Sequence, residues 1–321
     1  MRQFRIHISK GVFLEGDTTN ILIDPLVLPS KRPDLVLVSH AHSDHYTPGV
    51  LRRISSTGVR ILMSTASRMI IDPKKRLKNV VEINPGEKIE SEKFTVEAFD
   101  AGHIIGSLQF RIELADVTFV YTGDFNLEKR IILEPAKPLS SDVLLIDATY
   151  GLPIYVFPKR QEIYSQLLSL VREKGSDREI ALKARKLGVA QEVTALLSMA
   201  TDLPVLVEPE IAVYNEIYEK FGEILGRYAI NNNPSRGAPF VARLSRKFPR
   251  GIQSIPLTGW AMKSGIPLSS HGDFKQIIDY VRRSSPDIVI PVCGFREELS
   301  SYLLGEHGFS TANGEEIILN L

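Results

Sequence analysis

The chain has 321 residues, 43% of them hydrophobic, and its 39 Lys and Arg nearly balance 38 Asp and Glu. That is ample for a large core in one or two domains, and a net charge of +1 excludes a uniformly basic nucleic-acid binder while allowing a local basic face. A single cysteine, Cys293, excludes an internal disulfide framework and fits a reducing compartment, and no apolar run reaches the roughly 18 residues of a membrane span.

The N-terminal run Met-Arg-Gln-Phe-Arg-Ile-His has no signal-peptide stretch, so the expectation is a soluble cytoplasmic protein with no membrane partner. Residues 3–23 alternate apolar and polar, with turn signals at Lys10-Gly11 and Glu15-Gly-Asp17, which predicts an antiparallel hairpin. It ends in Ile21-Leu-Ile-Asp24-Pro25. Leu35-Val-Leu-Val38 predicts a buried strand ending at Ser39. Next come His40, His42, Asp44 and His45, within six positions. Alternate residues of an extended segment point the same way, so His40 and His42 reach one point. Asp44 and His45 lie past the bend, where the turn into Thr47-Pro-Gly aims them at a second point nearby. Imidazole nitrogens and carboxylate oxygens suit zinc and similar divalent ions. One histidine at a strand end is an ordinary solvated group; four ligand-type residues in six predict a metal site.

A helix over 48–56 follows, then strands over 59–63, 78–83 and 93–99, with Asn84-Pro-Gly86 as a turn. In Asp100-Ala-Gly-His103, the histidine sits at a strand-to-turn junction beside glycine, which lets the backbone approach closely. Residues 117–126 are a buried strand running into Thr-Gly-Asp124, and 142–151 are another that ends in Asp147. Strands alternating with helices, with polar residues at the strand ends, predict an α/β fold whose site lies on loops at one edge.

From 152 to 256 the pattern changes, over a segment long enough for a small domain. Helices are predicted over 158–174, 187–200 and 209–226, with a short strand over 203–207. Gly188 opens one of these helices after Arg185-Lys186-Leu, and the N–H groups of such a start suit a phosphate. Between Leu225 and Gly272 there is no Asp or Glu, yet the window holds Arg227, Arg236, Arg243, Arg246, Lys247, Arg250 and Lys263. A stretch of one sign attracts a polyanion. Tyr228, Phe240, Phe248 and Trp260 are interleaved with it, placed to stack bases or to serve as core. Pro267-Leu-Ser269-Ser270-His271-Gly-Asp leads to an amphipathic helix over 274–284 and a strand and turn over 286–294.

The His-x-His-x-Asp-His run resembles the signature of the metallo-β-lactamase-fold hydrolases. Asp147-x-Thr-Tyr-Gly, Thr-Gly-Trp260 and Ser269-x-His271 narrow the resemblance to the β-CASP nucleases, and within them to the Artemis-like and DNA-ligase-associated exonuclease branch. The Gly-Thr-x-Gly segment usual before Ser-x-His in the RNA-cleaving branch is not found. Leu187-Gly-Val-Ala-Gln191 is similar to a Leu-Gly-Lys-Ala-Gln segment of the ligase-associated nucleases, with Val189 where they have lysine and Lys183, Arg185 or Lys186 as substitutes.

The resemblance implies a four-layer αββα sandwich formed by 1–151 and 257–321, with a smaller α/β domain inserted over 152–256. It implies that His40, His42, His103 and Asp124 hold one ion and that Asp44, His45 and the shared Asp124 hold a second. The ions would be one or two Zn2+, with Mn2+ or Mg2+ as alternatives at the second site. Asp24 matches an aspartate that props the metal loop, or is an ordinary strand-end aspartate. Cys293 stands where many relatives carry a histidine; it is either a further ligand or a small buried cysteine. His271, oriented by Asp147, is the candidate proton donor to the leaving oxygen. Gly188, Arg185, Lys186, Ser269 and Ser270 are the candidate phosphate contacts. The implied activity is metal-dependent hydrolysis of nucleic acid, DNA favoured over RNA, from a 5′ end and in DNA repair. An RNA-processing nuclease and a small-molecule ester or thioester hydrolase are the alternatives. Oligomeric state is not legible.

Overall fold

The computed structural model describes residues 2–174 and 178–321. The chain opens with β1 (Gln3–Ile8), β2 (Val12–Glu15) and β3 (Asn20–Ile23), an antiparallel meander. It continues through β4 (Leu35–Leu37), α1 (Pro48–Ser55), β5 (Arg60–Met63), α2 (Thr65–Ile71) and β6 (Val80–Glu82), each strand pairing parallel to the one before. β7 (Lys88–Glu90), β8 (Thr95–Asp100), β9 (Leu108–Leu114) and β10 (Val117–Tyr121) form a second meander, and β11 (Val143–Asp147) lies parallel to β10.

A third group follows: α3 (Arg160–Lys174), β12 (Ile180–Ala184), α4 (Val189–Ala200), β13 (Val205–Val207), α5 (Pro209–Lys220), β14 (Tyr228–Ile230), β15 (Phe240–Arg243) and β16 (Gln253–Leu257). α6 (Phe274–Ser284) then leads to β17 (Ile288–Val292), which joins the second sheet beside β11. α7 (Arg296–His307) leads to β18 (Glu316–Asn320), which returns to the first sheet beside β1.

The sheet orders are β18-β1-β2-β3-β4-β5-β6, β17-β11-β10-β9-β8-β7 and β14-β13-β15-β12-β16. Period-2 alternation gives each of the first two sheets an inner and an outer face. The inner faces close on each other: Phe4, Ile6, Leu14 and Ile21 meet Phe110, Ile112, Phe119 and Val143 in one buried cluster. The rings of Phe4 and Phe119 meet edge-on, 5.1 Å apart. On the outer faces, Leu22, Val36 and Ile61 are covered by Leu51 and Ile54 of α1. Val120, Leu144 and Val289 are covered by Ile277 and Val281 of α6 and Leu299 of α7. The layers therefore run helix, sheet, sheet, helix, the αββα arrangement read from the sequence.

The third sheet is parallel throughout and packs on α3, α4 and α5. α4 is buried continuously from Val189 to Leu197, as a helix with neighbours on every side must be. This unit meets the sandwich through Ile104 and Ile105, which pack on Leu187, Ala195, Ile217 and Tyr218. The helix expected over 209–226 stops at Lys220, because Gly222 takes φ 90° and turns the chain. The apolar spacing nevertheless runs on to Leu225, which is buried in that same interface. Among the described residues, no helix is long and apolar enough to cross a membrane.

Candidate metal centre

The site lies where the strand ends of both sandwich sheets meet the third unit. β3 and β4 are neighbours and end together. Asp24, just past β3 and in the left-handed region at φ 50°, turns its carboxylate onto the loop after β4. It accepts from Ser39 N at 2.7 Å, Ser39 Oγ at 2.6 Å, His45 Nδ1 at 2.8 Å and the Tyr121 hydroxyl at 2.8 Å. Burial alone would raise its pKa, but the charge of His45 and these hydrogen bonds hold it below the usual value. Of its two readings, Asp24 is therefore the prop of the loop.

The hydrogen bonds of the three central histidines fix which nitrogen of each carries the proton. Ser39 Oγ gives its proton to Asp24, so it accepts from His40 Nδ1 at 3.0 Å. His42 Nε2 lies 3.0 Å from the Leu187 carbonyl, and His103 Nδ1 3.1 Å from the Ser270 carbonyl. A carbonyl only accepts, so these nitrogens also bear protons. His40 Nε2, His42 Nδ1 and His103 Nε2 are then bare lone pairs, and they converge. His42 Nδ1 is 3.1 Å from His40 Nε2 and 3.0 Å from His103 Nε2. Asp124 Oδ2 is 3.4 Å from both His40 Nε2 and His103 Nε2.

Three lone pairs and a carboxylate aimed at one buried point repel one another unless a cation sits among them. A tetrahedral ion with bonds of ~2.0 Å has ligand-to-ligand edges of ~3.3 Å, close to these spacings. Burial, together with neighbouring positive charge, keeps His42 and His103 well below the usual histidine pKa, in the neutral form a metal requires. The donor set fits a divalent ion of the zinc type.

Asp124 has a second oxygen. Its Oδ1 lies 3.3 Å from His45 Nε2. Burial opposes charge on His45, yet the carboxylates of Asp124 and Asp24 outweigh it and raise His45 well above its usual value. This side of Asp124 also favours a positive charge. Asp44 is at the rim with its side chain 59% exposed, its Oδ1 held by Arg185 Nη2 at 2.6 Å. On the far side, His271 Nε2 is 3.5 Å from Asp124 Oδ2, and His271 Nδ1 is 3.0 Å from Asp147 Oδ2. Asp147 is itself fixed by the backbone N–H and hydroxyl of Thr149. Burial would lower the pKa of His271; the charge of Asp124 and the bond to Asp147 raise it instead.

All of this opens into a cleft of about 500 Å³. Asp44, His45, Asp124 and His271 line it, as do Arg185, Ser269, Ser270, Trp260 and Cys293. Cys293 closes β17 in the left-handed region at φ 61°. The residue is exposed to the cleft, while the protein packed around its sulfur and the charges of Asp147 and Asp124 push the thiol well up.

Residues 16–153 match the description of a beta-lactamase superfamily domain. Over 318 residues the chain is 30% identical to a probable DNA ligase of Opitutus terrae, a match that covers 91% of this chain and 30% of that protein. It is 26% identical over 251 residues to RNase aCSPSF2 of Saccharolobus solfataricus, covering 69% of this chain and 49% of the relative. It is 32% identical over 151 residues to the 5′ exonuclease Apollo of Rattus norvegicus, covering 43% and 27%. A crystal structure of a protein of unknown function from Enterococcus faecalis shares the fold, with a TM-score of 0.68 at 14% identity over 99% of this chain and 100% of the other. The chain carries a metallo-β-lactamase-fold domain. Its homologues include β-CASP nucleases, and it spans at most about half the length of these curated relatives.

In this metallo-β-lactamase-fold chain, His40, His42, His103 and Asp124 come together as one group of potential ligands, and Asp124, Asp147 and His271 as another. Two of the residues expected to touch phosphate are not among those that line the cleft. Lys186 points to Glu210, 3.8 Å away, and over the Tyr214 ring. Gly188 is buried, and its N–H is taken by Gln191 Oε1 at 2.7 Å. Its φ of 110° serves packing, since a Cβ there would lie 2.9 Å from Ile104 Cγ2. Two of the basic residues in the acid-free window are paired with acids in the fold. Arg243 and Arg246 both pair with Glu208, and Arg243 also with Glu210, acids supplied by the neighbouring β13–α5 corner.

Sequence reading missed the outer partners: Ser39, the Leu187 and Ser270 carbonyls, and a buried ionic group. Glu192 of α4, fully buried, pairs with Arg130 at 3.3 Å and Arg160 at 2.6 Å. Arg130 holds the carbonyls of Gly102 and His103, and Arg160 holds that of Ser269 at 2.8 Å. The only signal available was a Glu in the first turn of a largely apolar helix.

Proposed function

We propose that this chain is a metal-dependent hydrolase of nucleic-acid phosphodiester bonds, acting on DNA from a 5′ end. The observation that carries the reading is the set of three histidines whose outer hydrogen bonds leave their lone pairs facing one point beside Asp124. His40, His42, His103 and Asp124 hold one ion. His45, the shared Asp124 and the free oxygen of Asp44 hold a second, with Cys293 beside them in the cleft. Zinc suits the first site; zinc, manganese or magnesium suits the second. Bound divalent ions supply Lewis acidity, drawing charge from phosphate oxygens and acidifying water.

The chain's own residues do the rest. Asp24 fixes the loop that carries the ligands. Arg185 steadies Asp44 and presents its remaining N–H groups to a phosphate. The Ser270 hydroxyl adds a contact, while Ser269 Oγ accepts the His271 N–H at 3.1 Å and fixes the turn. His271 Nδ1–H donates to Asp147, which orients the ring, and Nε2 delivers a proton to the leaving oxygen.

A catalytic domain of 1–151 and 257–321 with an insertion of 152–256 is supported by the third sheet and its helices. The ligase relative, matched over nearly the whole chain, and the Apollo relative favour DNA, 5′ polarity and a repair role. The lone cysteine favours a reducing, cytoplasmic setting. RNA is the second reading, favoured by the archaeal RNase relative.

The test is digestion of 5′- and 3′-labelled DNA and RNA with defined metals, using wild type and Asp44→Ala. DNA shortened from the 5′ end by wild type, and at least 100-fold more slowly by the variant, supports the reading (~10²-fold for a lost group acting in the transition state). Undiminished cleavage by Asp44→Ala overturns the two-ion assignment, and cleavage of RNA alone overturns the substrate.

A further inference from the structure

Trp260 is the only tryptophan of the chain, and it stays 53% exposed. A large aromatic side chain normally buries most of its area. Its exposure does not come from a loose loop. Thr258 N donates to the Ile266 carbonyl at 3.2 Å, and Ala261 N to the Thr258 carbonyl at 2.8 Å, so the turn that carries Trp260 is closed on itself. Gly259 lies so near Tyr150 that a Cβ there would overlap the phenol. The indole is braced by Tyr150, with ring centres 4.7 Å apart, and by Tyr155 at 5.1 Å with the planes 83° apart. Trp260 is part of the lining of the cleft.

Tyr150 also touches the proposed proton donor, with its ring 5.9 Å from that of His271 and perpendicular to it. Two ring-to-ring contacts, both through Tyr150, therefore link His271 to the indole. The same cleft is lined by Asp44 and Arg185, the groups suited to phosphate. Its lining joins an ionic pair to a rigid aromatic plate. A pocket that recognised phosphate alone would have no use for the plate.

We propose that Trp260 is a base-stacking platform, holding the nucleobase attached to the phosphate under attack. The proposal rests on the phosphodiesterase reading above. Every base has a π-face, so such a platform accepts any sequence. It does require the base to be out of its duplex stack, so the preferred substrate is a single-stranded or frayed end.

As the sole tryptophan, Trp260 reports on its own contact. The wild-type chain, as purified, is titrated with a 5′-phosphorylated thymidine tetramer joined by phosphorothioate links that resist cleavage. It is also titrated with an abasic tetramer of the same length and charge. The expected result is quenching of tryptophan emission by the base-bearing strand alone, with the abasic strand bound about 5- to 100-fold more weakly. Trp260→Phe keeps most of that preference and Trp260→Ala loses it. Equal affinity for the two strands with unchanged emission overturns the platform and leaves the phosphodiesterase reading standing. Failure of both strands to bind overturns the two together. Should Trp260→Ala fail to fold, the wild-type emission still decides.

Discussion

Ser39→Ala tests the tautomer argument on which the metal centre stands. The serine hydroxyl has two jobs: it donates to Asp24 at 2.6 Å and accepts from His40 Nδ1 at 3.0 Å. Both partners are buried. Without the hydroxyl, the Nδ1 proton of His40 has no acceptor, and an unsatisfied buried donor costs about 1–3 kcal/mol. The imidazole escapes that cost by moving its proton to Nε2, where it points at Asp124 Oδ2, 3.4 Å away. That places a proton where the lone pair was, and an ion must now displace it. At 1.4 kcal/mol per tenfold, a penalty of about 1–3 kcal/mol weakens the first site roughly 5- to 150-fold. This range matches the 10- to 100-fold typical of lost outer partners. The assay is zinc titration against a competing chelator, with circular dichroism to confirm the fold. Affinity within about twofold of wild type would refute the assignment of the His40 proton, and with it the argument that the three lone pairs face one ion.

His271→Ala should leave metal stoichiometry unchanged and lower the turnover of a substrate with a poor leaving group by about 10²- to 10⁴-fold, read by single-turnover cleavage. Gly188→Ala should destabilise the chain by about 1–3 kcal/mol, because its φ of 110° and the nearby Ile104 methyl both oppose a side chain; a urea melt measures it. Glu192→Gln should cost about 3–5 kcal/mol at neutral pH by stranding two buried guanidinium groups. Burial would raise the pKa of Glu192, but Arg160 and Arg130 hold it below its usual 4.5. Its stabilisation is therefore complete above that value and is lost as pH falls through the lower folded value. The stability gap between wild type and Glu192→Gln should narrow below about pH 4, and a gap that widens there would reverse the sign.

The candidate ligands were legible because chemistry forces such residues into short, recognisable runs. His40 and His42 alternate on an extended segment, and Asp124 and Asp147 close apolar strands whose ends must meet when sheets stack. The two-sheet core was legible in part for the same reason, since period-2 alternation in 3–23 assigns each residue a face, whereas β9 was not foreseen. The third sheet was harder. β12, β14 and β15 are short and mixed in character, and two of the three helices around them and the strand β13 were all that the sequence placed closely. α7 buries only Leu299, Ser300 and Leu303, too thin a stripe to stand out. The basic window misled because charge balance is a property of surfaces: Glu208 and Glu210 are distant in sequence from Arg246 and Arg243 but adjacent to them in the fold. Backbone acceptors such as the Leu187 and Ser270 carbonyls have no residue signature at all.

Those acceptors divide the labour at the centre. The sandwich supplies the atoms that face the ion, from the ends of β4, β8 and β10. The third unit and its return segment supply the hydrogen bonds behind them: Leu187 for His42, Ser270 for His103, and Arg185 for Asp44. Glu192 adds a mechanical tie, because its two arginines grip the backbone at His103 and at Ser269 from one carboxylate. In a fully buried setting a carboxylate between two guanidinium groups is held by strong Coulombic attraction, and releasing either partner leaves a bare charge in low dielectric. A rotation of the third unit would therefore shift the outer partners of two central histidines together. Any such shift changes the acceptors that face His42 Nε2 and His103 Nδ1, and with them the metal affinity expected of the centre.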